Sequence, residues 1–459
     1  MTTRGIERGR VSVLVMATAG FTLMFAVWLM FGVLGIPIRA EFDLTDVQLS
    51  WIAAVAILNG AIWRLPAGIA ADRFGGRRVF ITMLAVTAIP AYLVSQASSY
   101  GMLLFFAFLV GFAGNSFSVG IAWVSAWWPQ DRQGFALGVF GAGNVGASVT
   151  KFIGPALIVA VPAAGFLGGA IPGGWRFVPF LYMTLLLAMA VATWFLTPHR
   201  EITPGSGRSL ASMLAPLRQL RVWRFSLYYV IVFGAYVALA AWLPLYYVDV
   251  YGLPLSQAAL LTALFIFPAS LLRPIGGILS DRVGARRVMY ATFAIMLTAS
   301  GILMMPYGYI VLTAPGGPAN EVMPVHEVMP WSVGTTLFTV LVFTMGCAMG
   351  IGKAAVYKHI PEYFPNDVGA VGGLVGSLGA LGGFFLPPLF AYATVLTGMP
   401  QATFFVIFAV TLIGAVWMHV TVVAVLHRAS PELANKFEHE PLEQQEDALE
   451  QHDMTGVQG

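Results

Sequence analysis

Long apolar runs alternate with short polar links along the chain as far as about residue 427. Twelve such runs, spans 1 to 12, are predicted near 11–36, 47–70, 78–97, 101–128, 133–162, 175–198, 225–248, 256–279, 288–312, 334–358, 368–397 and 400–427. Each reaches the roughly 20 residues with which an α-helix crosses the ~30 Å hydrocarbon core of a bilayer. The longest link, 199–224, contains Pro204, Gly205, Ser206 and Gly207 and separates spans 1–6 from spans 7–12. The predicted organisation is a six-helix half at 1–198, a central loop at 199–224, a second six-helix half at 225–427 and a tail at 428–459. That tail is acidic, rich in Glu and Gln, and almost free of aromatic residues, so it is expected to be solvated and disordered. A turn-rich link over 313–333 joins spans 9 and 10.

Polar residues recur at a fixed interval within this pattern. Arg64, Gly68, Asp72, Gly75 and Arg78 are matched 209 positions later by Arg273, Gly277, Asp281, Gly284 and Arg287. A looser repeat pairs GFAGNSFSVG at 111–120 in span 4 with GCAMGIGKAA at 346–355 in span 10. The chain therefore reads as a duplicated membrane protein, two parallel halves with a site between them near the midplane.

Composition agrees: 58% of residues are hydrophobic and 10% charged, with a mean hydropathy of +0.80, outside the range of soluble domains. The basic residues orient the spans. Eighteen of them, among them Arg8, Arg10, Arg77, Arg78, Arg286 and Arg287, fall on the side of the N-terminus, and two, Arg39 and Arg176, on the other. The positive-inside bias puts both termini in the cytoplasm. The single cysteine, Cys347, cannot form an internal disulfide and reads as a small buried residue.

Four basic residues lie inside spans: Arg64, Lys151, Arg273 and Lys353. Arg64 and Arg273 each sit eight residues before the Asp at the span end, about 12 Å deep at ~1.5 Å per residue. An arginine at a helix centre costs about 2.5–3.5 kcal/mol on insertion scales. Snorkelling accounts for one such residue more readily than for two at matched depth. No Asp or Glu lies inside a span, apart from Asp249 at the outer end of span 7. A buried cation needs a partner, and with no core carboxylate that partner is expected to be an anionic substrate. Cationic and neutral substrates gain nothing from such a site.

Asn144 and Ser377 place neutral polar groups in glycine-rich helices, where they can donate to an anion or bond between helices. Gly141, Gly146, Gly376, Gly379 and Gly382 permit close, sliding helix contact. The histidines lie in loops, span ends and the tail, except His419 in span 12.

The Asp-Arg-x-Gly loops, with Asp72 and Arg73 after span 2 and Asp281 and Arg282 after span 8, resemble the loop motif of the major facilitator superfamily. The stretches GFAGNSFSVGIAWVSAWWPQDRQGFALGVFGAGNVGAS at 111–148 and GAVGGLVGSLGALGGFFLP at 369–387 resemble the two signatures of its nitrate/nitrite porter (NarK-type) family. The resemblance covers nearly the whole membrane part and excludes the tail. It implies an all-α major facilitator fold of 12 transmembrane helices, a monomer in the cytoplasmic (inner) membrane with no cofactor, and nitrate as the anion. It further implies gating by Asp72, Arg73, Asp281 and Arg282, whose carboxylates can close the cytoplasmic face. Arg64 and Arg273 fall where that family holds its anion. Two planar guanidinium forks can clamp planar nitrate from opposite halves. Phe117 is similar to the family's aromatic wall, and Tyr229 with Phe233 to its aromatic pair, with Tyr236 as a substitute for Tyr229.

Lys151 and Lys353 depart from the antiporter-like members and look more like the proton-coupled symporter branch. Desolvation favours a neutral amine, which makes each a candidate proton carrier, the alternative being a cation that tunes anion affinity. The resulting expectation is nitrate import by alternating access with proton symport, nitrate/nitrite antiport being the alternative and an anion channel a more distant one. No nucleophile–base set, metal-ligand cluster or dinucleotide fingerprint points to an enzyme, and nothing points to nucleic acid.

Overall fold

The computed structural model describes residues 3–203, 210–305, 308–310, 326–329, 333–364 and 368–429. The predicted tail beyond 429, the Pro204–Gly207 part of the central loop and most of the 313–333 link lie outside the described residues. Within that link, His326–Met329 pairs as an antiparallel strand with Gly308–Ile310, where a plain turn-rich connector was expected.

All twelve predicted spans are helical. Among the described residues ten helices are long and apolar enough to cross a membrane alone, and the bent pair Leu255–Leu271 and Arg273–Val283 (span 8) makes an eleventh. Span 9 is the helix Ala285–Leu303; Arg286 and Arg287 in its first turn lower its hydropathy, and its predicted end at 312 falls outside the described residues. Boundaries differ most at charged residues. Span 7 starts at Leu220 rather than 225, with Arg221 and Arg224 on its first turns, their guanidinium groups 5.6 Å from the Tyr363 ring and 5.3 Å from the Phe225 ring. Span 1 runs Glu7–Phe42 rather than 11–36.

Spans 1, 2, 4, 5, 7 and 8 are interrupted, whereas spans 3, 9, 10, 11 and 12 run unbroken. Span 1 breaks between Trp28 and Phe31, span 2 at Trp63 and span 8 at Leu272. Spans 4 and 5 tighten into 3₁₀ turns at Gly111–Asn115 and Gly143–Val145, and span 7 widens into a π-turn at Val230–Gly234. Prolines explain two of the breaks. The ring of Pro66 meets the carbonyl four residues back, at Ile62, where the first helix of span 2 ends; Pro274 does the same to Ser270. The breaks themselves are symmetry mates: Trp63 has φ −89°, ψ 0° and Leu272 has φ −79°, ψ −1°. The loops that follow match as well, Gly75 at φ 95°, ψ 133° and Gly284 at φ 91°, ψ 133°. A positive φ of this kind is costly for any residue but glycine.

The halves meet closely along spans 1 and 7. A Cβ on Gly32 would stand 2.9 Å from the Ala240 carbonyl oxygen and 3.0 Å from the Ala241 Cα, so only glycine allows this backbone approach. Gly32 and Ala241 are themselves 209 positions apart, which places the contact on the pseudo-twofold axis. Seven residues further, Arg39 donates to Asp249 of the other half through two N–H···O bonds, 2.7 and 2.8 Å, and to Asp46 at 2.6 Å. Span 7 accordingly has 83% of its apolar window buried, against 33% for the peripheral span 6.

At the opposite end, Arg77 is buried rather than solvated. It donates to the Thr197 hydroxyl (2.9 Å) and the Trp194 carbonyl (2.6 Å), tying span 3 to span 6. A role in topology alone does not describe this arginine.

Candidate functional site

Both core arginines are the first helical residue after a break, Arg64 in span 2 and Arg273 in span 8. From these positions each side chain reaches across the bundle towards the other half. Arg64 is 1% exposed. Its Nε donates to the Gly60 carbonyl (2.8 Å), and its Nη1 reaches the other half to donate to the Gly376 carbonyl of span 11 (3.1 Å). Its guanidinium lies 5.4 Å from the Trp28 ring, 5.7 Å from Phe117 and 5.3 Å from Phe233. The Arg273 guanidinium lies 5.4 Å from Phe117 and 5.4 Å from Tyr357. One ring, Phe117, therefore stands against both cations.

Aromatic faces contribute about 0.5–2 kcal/mol per contact toward holding a desolvated cation, well short of the cost of burying a charge. Among the described residues no carboxylate pairs with either arginine. Among the described residues Arg64 Nη2 and Arg273 Nη1 are buried donors without a hydrogen-bond partner. Such groups are rare in native interiors and mark functional positions. The site has the chemistry of an anion receptor: planar donors from both halves with an aromatic wall beside them.

Most of the predicted residues gather around this pair. Phe117 is held by Phe21 and Phe140, at ring separations of 5.5 and 6.0 Å. Tyr229 stacks on Phe233 at 5.0 Å and 12°, and it meets Tyr357 edge-on at 5.1 Å. The glycines of span 11 make room for this stack, since a Cβ on Gly379 would stand 2.3 Å from the Tyr229 ring. Ser377 follows Gly376, and its buried hydroxyl has no partner. Both side-chain amide atoms of Asn144 are likewise buried without one among the described residues, and its main-chain carbonyl accepts from the Tyr236 hydroxyl at 3.4 Å. Gly141, one turn before Asn144, leaves Arg273 space: a Cβ there would stand 3.5 Å from Nη1.

A cavity of about 660 Å³ leads from Arg64 and Phe117 past Gly68 and Tyr357 to Asp72, Gln133 and Met213 at the helix ends. Of the predicted gating residues, Asp72 lines this cavity, and Arg73 lies 5.6 Å from the Phe74 ring. Asp281 pairs with Lys358 of the same half at 2.5 Å, and Arg282 is exposed.

The two lysines are not in the cavity lining. Lys151 donates to the Leu29 carbonyl (3.2 Å) beside a separate groove lined by Phe152, Val159, Ser256 and Leu260. Lys353 donates to the Ala269 carbonyl (3.0 Å), with its ammonium 3.2 Å from the centre of the Tyr236 ring. Tyr236 thus serves Lys353 and Asn144 rather than replacing Tyr229.

Two residues were missed from sequence. Trp28 donates to the Ala56 carbonyl (3.0 Å) and presents its ring to Arg64. Its signal was a tryptophan deep inside a span instead of at the membrane interface, where the residue concentrates. Tyr357 donates to the Gly372 carbonyl (3.2 Å) and faces Arg273; it stands one turn after Lys353.

Comparison with known proteins agrees with this fold. Residues 16–319 match the Major Facilitator Superfamily. The chain is 70% identical over 429 residues to the probable nitrate/nitrite antiporter NarK1 of Thermus thermophilus, covering 94% of this chain and 95% of that one. It is 30% identical to the nitrite extrusion protein of Bacillus subtilis (strain 168), covering 86% and 91%. Among solved structures, a bacterial homologue of the human lysosomal transporter Spinster, inward-facing and unoccupied, superposes with a TM-score of 0.69 at 16% identity, over 90% of this chain and 96% of that one. The chain belongs to the nitrate/nitrite porter (NarK-type) family of the major facilitator superfamily.

Proposed function

We propose that this chain moves nitrate across the cytoplasmic membrane by alternating access, in exchange for nitrite, with Arg64 and Arg273 as the clamp. The observation that carries the reading is the pair of guanidinium groups flanking Phe117, each with a buried donor lacking a partner and neither with a carboxylate. Nitrate and nitrite are flat monoanions that can accept two parallel N–H bonds from such a fork. The eighteen-to-two distribution of basic residues supports cytoplasmic termini. In that orientation the cavity leads to the cytoplasm, while the Arg39–Asp249 bond closes the outer end. Gating at the cytoplasmic face then falls to the helix ends carrying Asp72 and Asp281.

Proton symport, the expectation from sequence, rests on Lys151 and Lys353 as proton carriers. Both amines donate to main-chain carbonyls and stand outside the cavity lining, which favours a role in fixing helix ends over one in carrying protons. The name of the Thermus thermophilus relative points to exchange as well. Exchange of two monoanions needs no proton carrier and moves no net charge.

The test is nitrate uptake into proteoliposomes, with and without internal nitrite, under an imposed pH gradient. Exchange predicts uptake that requires internal nitrite and ignores the gradient. Gradient-driven uptake into nitrite-free vesicles would overturn exchange and restore symport.

A further inference from the structure

Apart from Arg77, which ties span 3 to span 6, the buried basic residues that donate within one half do so to a carbonyl at the end of a broken helix. Arg64 Nε takes Gly60, in the last turn before the span 2 break; Lys151 takes Leu29, directly after the first helix of span 1; Lys353 takes Ala269, in the last turn before the span 8 break. The final carbonyls of a helix lack intrahelical partners and carry the negative end of its dipole. A lysine there satisfies a main-chain acceptor and a partial charge together.

We propose that Lys353 is a positioning residue for Arg273: it fixes the carbonyl end of the first helix of span 8, and thereby the direction in which Arg273 leaves the break. Ala269 lies four residues before Arg273, so its carbonyl belongs to the turn that aims the arginine. The neighbouring residue is held too, since the Ser270 hydroxyl bonds with the Tyr236 hydroxyl at 3.1 Å. Tyr236 is also the face on which the Lys353 ammonium rests, and Phe233, 5.6 Å from that ammonium, separates it from Arg64. Lys353 is 0% exposed and stands one ring away from the anion site without entering it. An amine donor at this place satisfies every contact observed.

The inference rests on the anion reading of Arg273, and the experiment separates the two. Nitrate binding to purified protein and nitrate/nitrite counterflow in proteoliposomes are measured for the wild type, Lys353→Met, Lys353→Arg and Tyr236→Leu. Wild-type protein that neither binds nor exchanges nitrate refutes the functional reading itself. Given an active wild type, Lys353→Met should weaken nitrate binding about tenfold or more. Lys353→Arg, which keeps a cation and donors, should recover affinity to within about threefold. Tyr236→Leu, which removes the supporting face, should weaken binding about threefold or more. Monodisperse elution of each variant distinguishes lost positioning from lost folding; if Lys353→Met does not elute as folded protein, Lys353→Arg and Tyr236→Leu decide. Normal nitrate affinity in Lys353→Met or in Tyr236→Leu overturns the proposal. So does a Lys353→Arg protein that keeps counterflow but loses a pH-gradient response present in the wild type, because that outcome makes the lysine a proton carrier.

Discussion

Arg39 and Asp249 join the first and seventh spans through two parallel hydrogen bonds, 2.7 and 2.8 Å long, although 210 residues separate them in sequence. The pair is about one-quarter to one-third exposed, so solvent screens it, yet its two-pronged geometry is the favourable kind. A contribution of about 1 kcal/mol to closure of this end corresponds to roughly a fivefold change in the open fraction. Asp249→Asn should therefore increase thiol labelling of a cysteine at the buried position of Leu245 about threefold to fivefold, in protein with Cys347→Ser. Exchanging the two charges, Arg39→Asp with Asp249→Arg, should bring labelling back down. Unchanged labelling in Asp249→Asn would show that the bond does not hold this end shut.

The arginines themselves give the sharpest contrast. Lysine preserves charge but loses the planar fork, and at position 64 it cannot reach Gly60, Gly376 and an anion together. Arg64→Lys and Arg273→Lys should each weaken nitrate binding by about tenfold to hundredfold, the range of one or two charge-assisted hydrogen bonds. Isothermal titration of the purified variants measures this directly. Near-normal affinity in both would refute the clamp.

Phe117 is expected to matter to both cations at once. Phe117→Ala removes a face standing 5.7 and 5.4 Å from the two guanidinium groups and opens the cluster with Phe21 and Phe140. Loss of two contacts of about 0.5–1 kcal/mol each predicts roughly fivefold to thirtyfold weaker nitrate binding. Phe117→Tyr should stay close to wild type. Equal affinities for all three proteins would reduce Phe117 to packing.

Lys151 provides the complementary case, because its amine faces the span 1 break and not the cavity. Lys151→Met should leave nitrate affinity within about twofold while lowering the thermal unfolding midpoint by several degrees, as one buried acceptor loses its donor (about 1–3 kcal/mol). A large loss of affinity with an unchanged midpoint would return Lys151 to the anion site.

The parts of the site that were legible in sequence are those whose cost is visible without neighbours. Arg64 and Arg273 declared themselves because charge inside an apolar span is expensive and because the 209-residue repeat removed coincidence. Phe117, Tyr229 and Phe233 were reached through the family resemblance, since an aromatic residue in a span is ordinarily packing. Trp28 carried only the mark of a tryptophan deep inside a span, and Tyr357 carried none. Their roles depend on how far each helix is rotated against its neighbours, which tertiary packing sets and residue type does not. The same rotation sent the two lysines toward carbonyls, a direction that residue type and depth do not encode. Boundaries suffered for a related reason: counting apolar residues stops at Arg224 and Arg287, whereas the helices continue through them.

The contact between Gly32 and Ala241 is off-centre, and that sets the proportions of any rocking motion about it. Along span 1, the Arg39–Asp249 bond lies seven residues to one side, about 10 Å at ~1.5 Å per residue, whereas Arg10 lies 22 residues to the other, about 33 Å. These are unequal lever arms on one fulcrum. A rotation of about 10° would part the near end by roughly 2 Å and the far end by about 6 Å. Such a rotation would open the far end more widely than the near end, and the narrower aperture would then stand beside the Arg39–Asp249 bond.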